Sequence, residues 1–362
     1  MITTPTLLLD EAKCRRNIRF MAEKARKSGV TFRPHFKTHV SHETGEWFRE
    51  EGVDRITVSS FRMAQYFAEA GWQDILVAFP VNILEIDVIN DLAGSIKLSL
   101  LVESVYTVDF LAKNLKAPAG VYVKVDLGYH RTGVDDRDTE QISRIVKAIT
   151  GSRRMQFIGF LSHAGNSYSA RGRTEILKVH EESIRRAAEL KENFINDYPD
   201  TIISLGDTPT CSIADDFSNV DEIRPGNFVF YDVMQTIIGS CSPEQVAVAM
   251  ACPVVAVHPE RNEIVIYGGS VHFSKESVAD SSGRVIYGAV VEDHGPGWGD
   301  IVENAVLARL SQEHGIVEAP PAFITRFKPG DIIKIMPVHS CITASVMREY
   351  RTLEGKRITR LL

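Results

Sequence analysis

The sequence predicts a (β/α)8 barrel over residues 11–245 followed by a mainly β domain over residues 246–362. Helical stretches closed by glycine alternate with short β-prone runs, and eight such runs fall between residues 31 and 223. Beyond about residue 245 the helical periods give way to short strands separated by Gly, Pro, Asn and Asp. At 362 residues the chain also exceeds the size at which one hydrophobic core stops growing, about 250 to 300 residues, so two domains are expected.

Thr6-Leu7-Leu8-Leu9 reads as a strand outside the barrel count, and Asp10 can cap a helix that turns Ile18, Met21, Ala22 and Ala25 to one face. Gly29 closes that helix. The unit then repeats, with helices ending at Gly52, Gly71 and Gly94, each followed by a strand: Val53–Val58, Ile75–Ala78 and Ile96–Leu101. Glycine at the residue after a helix accepts the left-handed conformation that closes it, so these glycines mark a βα repeat. Further strands follow at Val121–Val125, Phe157–Leu161, Thr201–Leu205 and Val220–Ile223. No G-x-G-x-x-G follows the first strand, which counts against a dinucleotide-binding sheet. In the second domain Val254–Val257, Glu263–Tyr267, Arg284–Tyr287 and Asp331–Ile335 read as strands. The charged run Lys178 to Lys191 reads as a solvated barrel helix.

Composition excludes several classes of function. The chain has 41 basic against 47 acidic residues, a formal charge of −6 and no basic run, so nucleic acid is not an expected partner. No apolar stretch approaches the 18 or so residues of a membrane span. The start Met1-Ile2-Thr3-Thr4-Pro5 lacks the basic and apolar regions of a signal peptide, and a cytoplasmic location is the expectation. Five widely spaced cysteines without a C-x-x-C predict no disulfide framework.

The stretch Arg33-Pro34-His35-Phe36-Lys37-Thr38-His39 follows the first barrel strand. Continued as a strand, it places His35, Lys37 and His39 on one face. His35 and His39 alone do not suit a metal, because four strand residues span roughly 13 Å. Desolvation and cationic neighbours instead make the amine of Lys37 a nucleophile suited to a Schiff base. Barrels place their active sites at the C-terminal ends of the strands. The polar stretches Asp126–Gly133, His163–Tyr168, Gly206–Thr210 and Arg224–Asn227 all fall there. Gly206-Asp207-Thr208-Pro209-Thr210 combines a glycine, hydroxyls and a proline suited to a first helical turn, as a phosphate cradle requires. In Pro337-Val338-His339-Ser340-Cys341, read as a strand end, His339 and Cys341 point the same way about 6.7 Å apart, close enough to share one ion.

The P-H-x-K-T-H segment resembles the lysine motif of the D-serine dehydratase and D-threonine aldolase family, fold-type III enzymes with an alanine racemase-like fold. The motif order matches over nearly the full length. The resemblance implies that Lys37 carries pyridoxal 5′-phosphate (PLP) and that Gly206, Thr208 and Thr210 hold its phosphate. It implies that Arg131, in D-x-G-x-x-R-x-G, lies near the phenolic oxygen and that Tyr168, in H-x-G-N-[ST]-Y, lies near the pyridine ring. It further implies Zn2+ on the H-x-C pair His339 and Cys341, an N-terminal strand (residues 1–10) joined to the β domain, and a homodimer. Thiolate and imidazole together favour zinc over magnesium or manganese. Glu313-His314-Gly315 also matches a family segment.

The activity so implied is a lyase acting on a D-β-hydroxy amino acid. Lys37 would remove the Cα proton, the cofactor ring would spread the charge, and zinc would help the β-hydroxyl leave, giving a 2-oxo acid and ammonia. D-Serine, D-threonine and D-threo-3-hydroxyaspartate all meet this requirement. Retro-aldol cleavage by the same machinery is one alternative. A racemase is a second, though it needs bases on both faces and leaves H-x-C unexplained; a non-catalytic PLP-binding protein is a third. Elimination needs an acid where retro-aldol cleavage needs a base, and Asn166, which cannot titrate, stands where a base would be placed.

Overall fold

The computed structural model describes residues 2–361. It divides into two compact units, residues 20–37 with 45–226, and residues up to 19 with 38–44 and 227 onward.

The first unit is a parallel barrel. Its strands are Thr31–Phe32, Arg55–Val58, Asp74–Pro80, Lys97–Val102, Ala119–Asp126, Met155–Leu161, Ile202–Leu205 and Glu222–Ile223. From the second strand on, each pairs in parallel with its successor, and Glu222–Ile223 returns to pair with Thr31–Phe32. One parallel bridge, His35 to Thr57, joins the first strand's continuation to the second and closes the ring. The first strand is only two residues long because Pro34 has no N–H to give the ladder.

The helix punctuation follows the sequence in three places out of four. Gly29, Gly52 and Gly71 have φ of +68°, +83° and +82°, where a Cβ would be strained. Gly94 departs from the expectation: it lies inside the helix Ile86–Ser95, which closes through the extended residue Ile96. Ser60, Ser104 and Asp138 cap the helices that follow them by accepting a backbone N–H.

Leu76, Leu101, Tyr122 and Leu161 from four successive strands form a buried apolar cluster. An ionic network lies in the same interior. Arg33 Nε donates to Glu222 Oε2 and its Nη1 to Asp74 Oδ1, both at 2.6 Å, with Arg33 and Glu222 buried. Ser204 Oγ donates to the other Glu222 oxygen at 2.6 Å and accepts from Arg224 Nε at 2.6 Å. Buried charges of this kind are tolerated only when paired and hydrogen-bonded, as these are.

In the second unit, Val248–His258 pairs with Glu263–Tyr267, and the ring continues through His314–Glu318, Gly297–Leu310, Gly288–His294 and Ile332–Pro337 back to Val248–His258. Thr6–Leu9 adds to this sheet, antiparallel to Val248–Ala251, with Glu349–Thr352 and Arg357–Thr359 beyond it. The N-terminal strand therefore belongs to the β unit. Val285–Ile286 pairs outside the main sheet, with Val278–Ala279. Cys14, Cys211, Cys241, Cys252 and Cys341 are all free thiols. Among the described residues no helix is long and apolar enough to cross a membrane.

Candidate active site

The lysine segment is a turn. His35 N donates to Pro225 O at 2.9 Å and Phe36 N to Thr57 O at 2.8 Å, and residues 36–39 then turn away. Phe36 drives the departure, because its ring is buried against Phe48, Phe67 and Trp72 with centroids 4.8 to 5.1 Å away. The expectation of one strand face carrying His35, Lys37 and His39 is corrected accordingly: Lys37 is exposed and His39 is fully buried. Among the described residues no hydrogen bond or ion pair engages the Lys37 ammonium.

Positive charge gathers around His35. Burial, reinforced by Lys37, Arg224, His163 and Arg131, pushes the His35 pKa well below its ordinary value. Burial also pushes His163 down to about 3, against its hydrogen bond to the Gly206 carbonyl and with Lys37, Arg131 and Arg224 adding to the fall. Lys124, buried at the end of its strand, falls to about 8 through desolvation and the charge of Arg224. Arg224 itself falls to about 10 through burial. It is fixed by Ser204 Oγ and by the carbonyls of Ser162 and Ser204. A barrel mouth with this excess of cations is built to receive anions, and a phosphate, a phenolate and a carboxylate supply them. The residues present thus fit PLP.

The loop Asp126–Gly133 is pre-formed. Asp126 Oδ1 accepts the backbone N–H of Gly128, Tyr129 and His130, and Glu103 accepts that of Gly133 at 2.7 Å. Arg131 stacks over the Tyr129 ring at 5.2 Å, and the Tyr129 and Tyr168 rings lie 5.9 and 6.1 Å from that of His163. Lys37, Arg131, Tyr168 and Gly206 are thereby grouped around His163.

Gly206 has φ of +147°, and a Cβ there would meet the Arg224 backbone N at 2.4 Å, so only glycine permits this approach of two strand ends. Thr208 opens the helix Thr208–Ile213 and is fully buried. Thr210 is engaged elsewhere: its N–H and hydroxyl both donate to Asp207, at 2.9 and 2.7 Å. Asp207, which also accepts from Ser167 at 2.7 Å, is the helix cap.

The second unit holds the His339 and Cys341 pair. Pro337 ends the strand Ile332–Pro337, His339 directly precedes the helix Ser340–Met347, and Cys341 sits in its first turn. The two residues thus lie at a helix start and not on a strand, so the strand-end geometry expected from the spacing is corrected. His339 Nδ1 makes no hydrogen bond, and Glu276 Oε2 lies 4.0 Å from it. Burial alone would lower the His339 pKa, but Cys341, Asp232 and Glu276 raise it to about 9. Among the described residues no third Cys, His, Asp or Glu joins the pair. Imidazole and sulfur are donors that suit zinc, and an ion held by two protein ligands would take water or substrate as its others. His314 is exposed on its strand.

Sequence reasoning singled out no role for Lys124, Arg224, Asn227 or Asp232. Signals existed: Lys124 is a charge inside the apolar strand V-Y-V-K-V, and R-P-G-N directly follows the last barrel strand.

Residues 9–233 match the family model "Alanine racemase, N-terminal domain", and residues 247–353 match a serine dehydratase domain. The chain is 29% identical to the D-serine dehydratase of Dictyostelium discoideum, covering 98% of this chain and 94% of the relative. It is also 29% identical to the D-threo-3-hydroxyaspartate dehydratase of Delftia sp. strain HT23, over 97% of this chain and 94% of that one. The solved structure of the Delftia enzyme superposes with a TM-score of 0.91 at 27% identity, covering 100% of this chain and 98% of that chain. A cysteine-to-alanine mutant of the same enzyme, in a metal-free form, gives the same TM-score, identity and coverage. A D-threonine aldolase from Arthrobacter sp. is more distant, at 25% identity over 93% of this chain and 86% of the relative.

Proposed function

Since this chain belongs to the alanine racemase N-terminal domain family and carries a serine dehydratase domain behind it, we propose that it is a PLP-dependent lyase that dehydrates a D-β-hydroxy amino acid. D-Serine and D-threo-3-hydroxyaspartate are the substrates handled by its dehydratase relatives, and the products would be a 2-oxo acid and ammonia. The observation that carries the reading is the cationic barrel mouth around His35, with Lys37 exposed in it.

When bound, PLP would supply the sink for the electrons left at Cα, and zinc the Lewis acid for a departing hydroxide. Lys37 is the residue to hold the cofactor and to take the Cα proton. Gly206 and Thr208 are the candidates to hold the phosphate, while Thr210 supports them by fixing the Asp207 cap. Arg131 and Tyr168 are the candidates to meet the cofactor ring. Arg224 and Lys124 would supply positive charge for the anionic groups, and His339 and Cys341 would hold the zinc. The low basicity of His163 supports dehydration, because retro-aldol cleavage requires a competent base for the β-hydroxyl proton. A cytoplasmic homodimer belongs to the same proposal.

Borohydride reduction of the purified, yellow protein tests the cofactor assignment. The reading expects the reduced cofactor on the peptide containing Lys37; labelling of another lysine, or of none, overturns it.

A further inference from the structure

We propose that Thr38 and Asn227 are positioning residues that hold the Cys341 sulfur by hydrogen bonds and tune the charge it gives to the metal. The inference rests on the reading that His339 and Cys341 bind that metal. Thr38 Oγ1 lies 3.2 Å from Cys341 Sγ and Asn227 Nδ2 lies 3.4 Å from it. Thr38 is fully buried and Asn227 is 4% exposed. A thiol could donate to Thr38, but a metal-bound sulfur has no proton and can only accept, so the bound state makes Thr38 the donor.

Asn227 cannot turn away. One of its two N–H groups donates to Asp232 Oδ2 at 2.7 Å and the other is shared between Ser340 Oγ at 3.0 Å and the sulfur, and the Asp232 carboxylate, which only accepts, fixes the amide's orientation. Asp232 in turn accepts from Ser340 N at 3.0 Å and Ser340 Oγ at 3.2 Å, and caps the helix Val233–Ile238 through Gln235 N at 2.9 Å. The side chain of residue 227 and the first turn bearing Cys341 are thus tied to one buried carboxylate. Donation from Thr38, with a shared one from Asn227, would draw electron density from the sulfur and leave a bound metal the stronger Lewis acid.

The test uses the cobalt(II)-loaded holoenzyme and reads its sulfur-to-cobalt charge-transfer band. Loss of a hydrogen bond raises the energy of the sulfur lone pair. Thr38→Val should therefore move the band to longer wavelength and lower turnover about tenfold, within the range found for groups that support metal ligands. Thr38→Ser should restore both. Asn227→Leu should move the band the same way, and unchanged cofactor absorption in each variant reports an intact barrel. A band at the wild-type wavelength in both Thr38→Val and Asn227→Leu overturns the inference while leaving the metal assignment standing. A wild-type protein that binds cobalt with no sulfur-to-cobalt band overturns the metal assignment and this inference together.

Discussion

His163 Nδ1 lies 2.9 Å from the Gly206 carbonyl oxygen, and because a carbonyl only accepts, the imidazole carries its proton on Nδ1 and leaves Nε2 bare. Burial pushes its pKa down to about 3, so it is neutral from about pH 5 upward. Nitrogen NMR of histidine-labelled protein should show the Nδ1-protonated tautomer unchanged from pH 5 to 8. A titration midpoint above 5 would contradict this electrostatic account.

Metal binding should be steeply pH-dependent. With its pKa raised to about 9, His339 is protonated at neutral pH in the metal-free protein, and a metal must displace that proton. Affinity is thus fully expressed above pH 9 and weakens below it, by about tenfold or more per unit. Competition with a chelator at pH 6, 7 and 8 measures it, and equal affinities at the three values would rule the pair out. Cys341→Ala should lose the zinc and the lyase activity yet keep the visible cofactor absorption.

Glu222→Ala leaves Arg33 and Ser204 without their shared acceptor in the barrel interior. Removing one member of a buried ionic group costs about 3 to 5 kcal/mol, so denaturant unfolding should show a loss of that size. A change under about 1 kcal/mol would mean that the network is not desolvated as its burial implies.

Gly206→Ala forces a Cβ toward the Arg224 backbone at a φ of +147°. Displacing two strand ends at the expected phosphate position should weaken PLP binding at least tenfold, read by reconstituting the cofactor-free protein. Wild-type affinity would place the phosphate elsewhere.

Much of this architecture was legible in local chemistry. Gly29, Gly52 and Gly71 mark helix ends because no other residue adopts their φ cheaply, and eight β-prone runs between helices have few packed solutions. Gly94 misled because a glycine near a helix end need not be the closing residue. The stretches at 33–39 and 337–341 were misread as strands for a related reason. The path of the chain there is set by long-range partners, the aromatic cage around Phe36 and the carboxylate of Asp232, and a periodicity of two contains neither. Arg224 and Asn227 were placed at a strand end without a role because their roles arise only when the last barrel strand is brought beside its neighbours.

Product analysis with D-threonine tests the central claim most directly, because elimination and carbon–carbon cleavage of this one substrate release different molecules. The account predicts 2-oxobutanoate and ammonia in equal amounts, from PLP- and zinc-loaded enzyme. Glycine and acetaldehyde as the main products would contradict it.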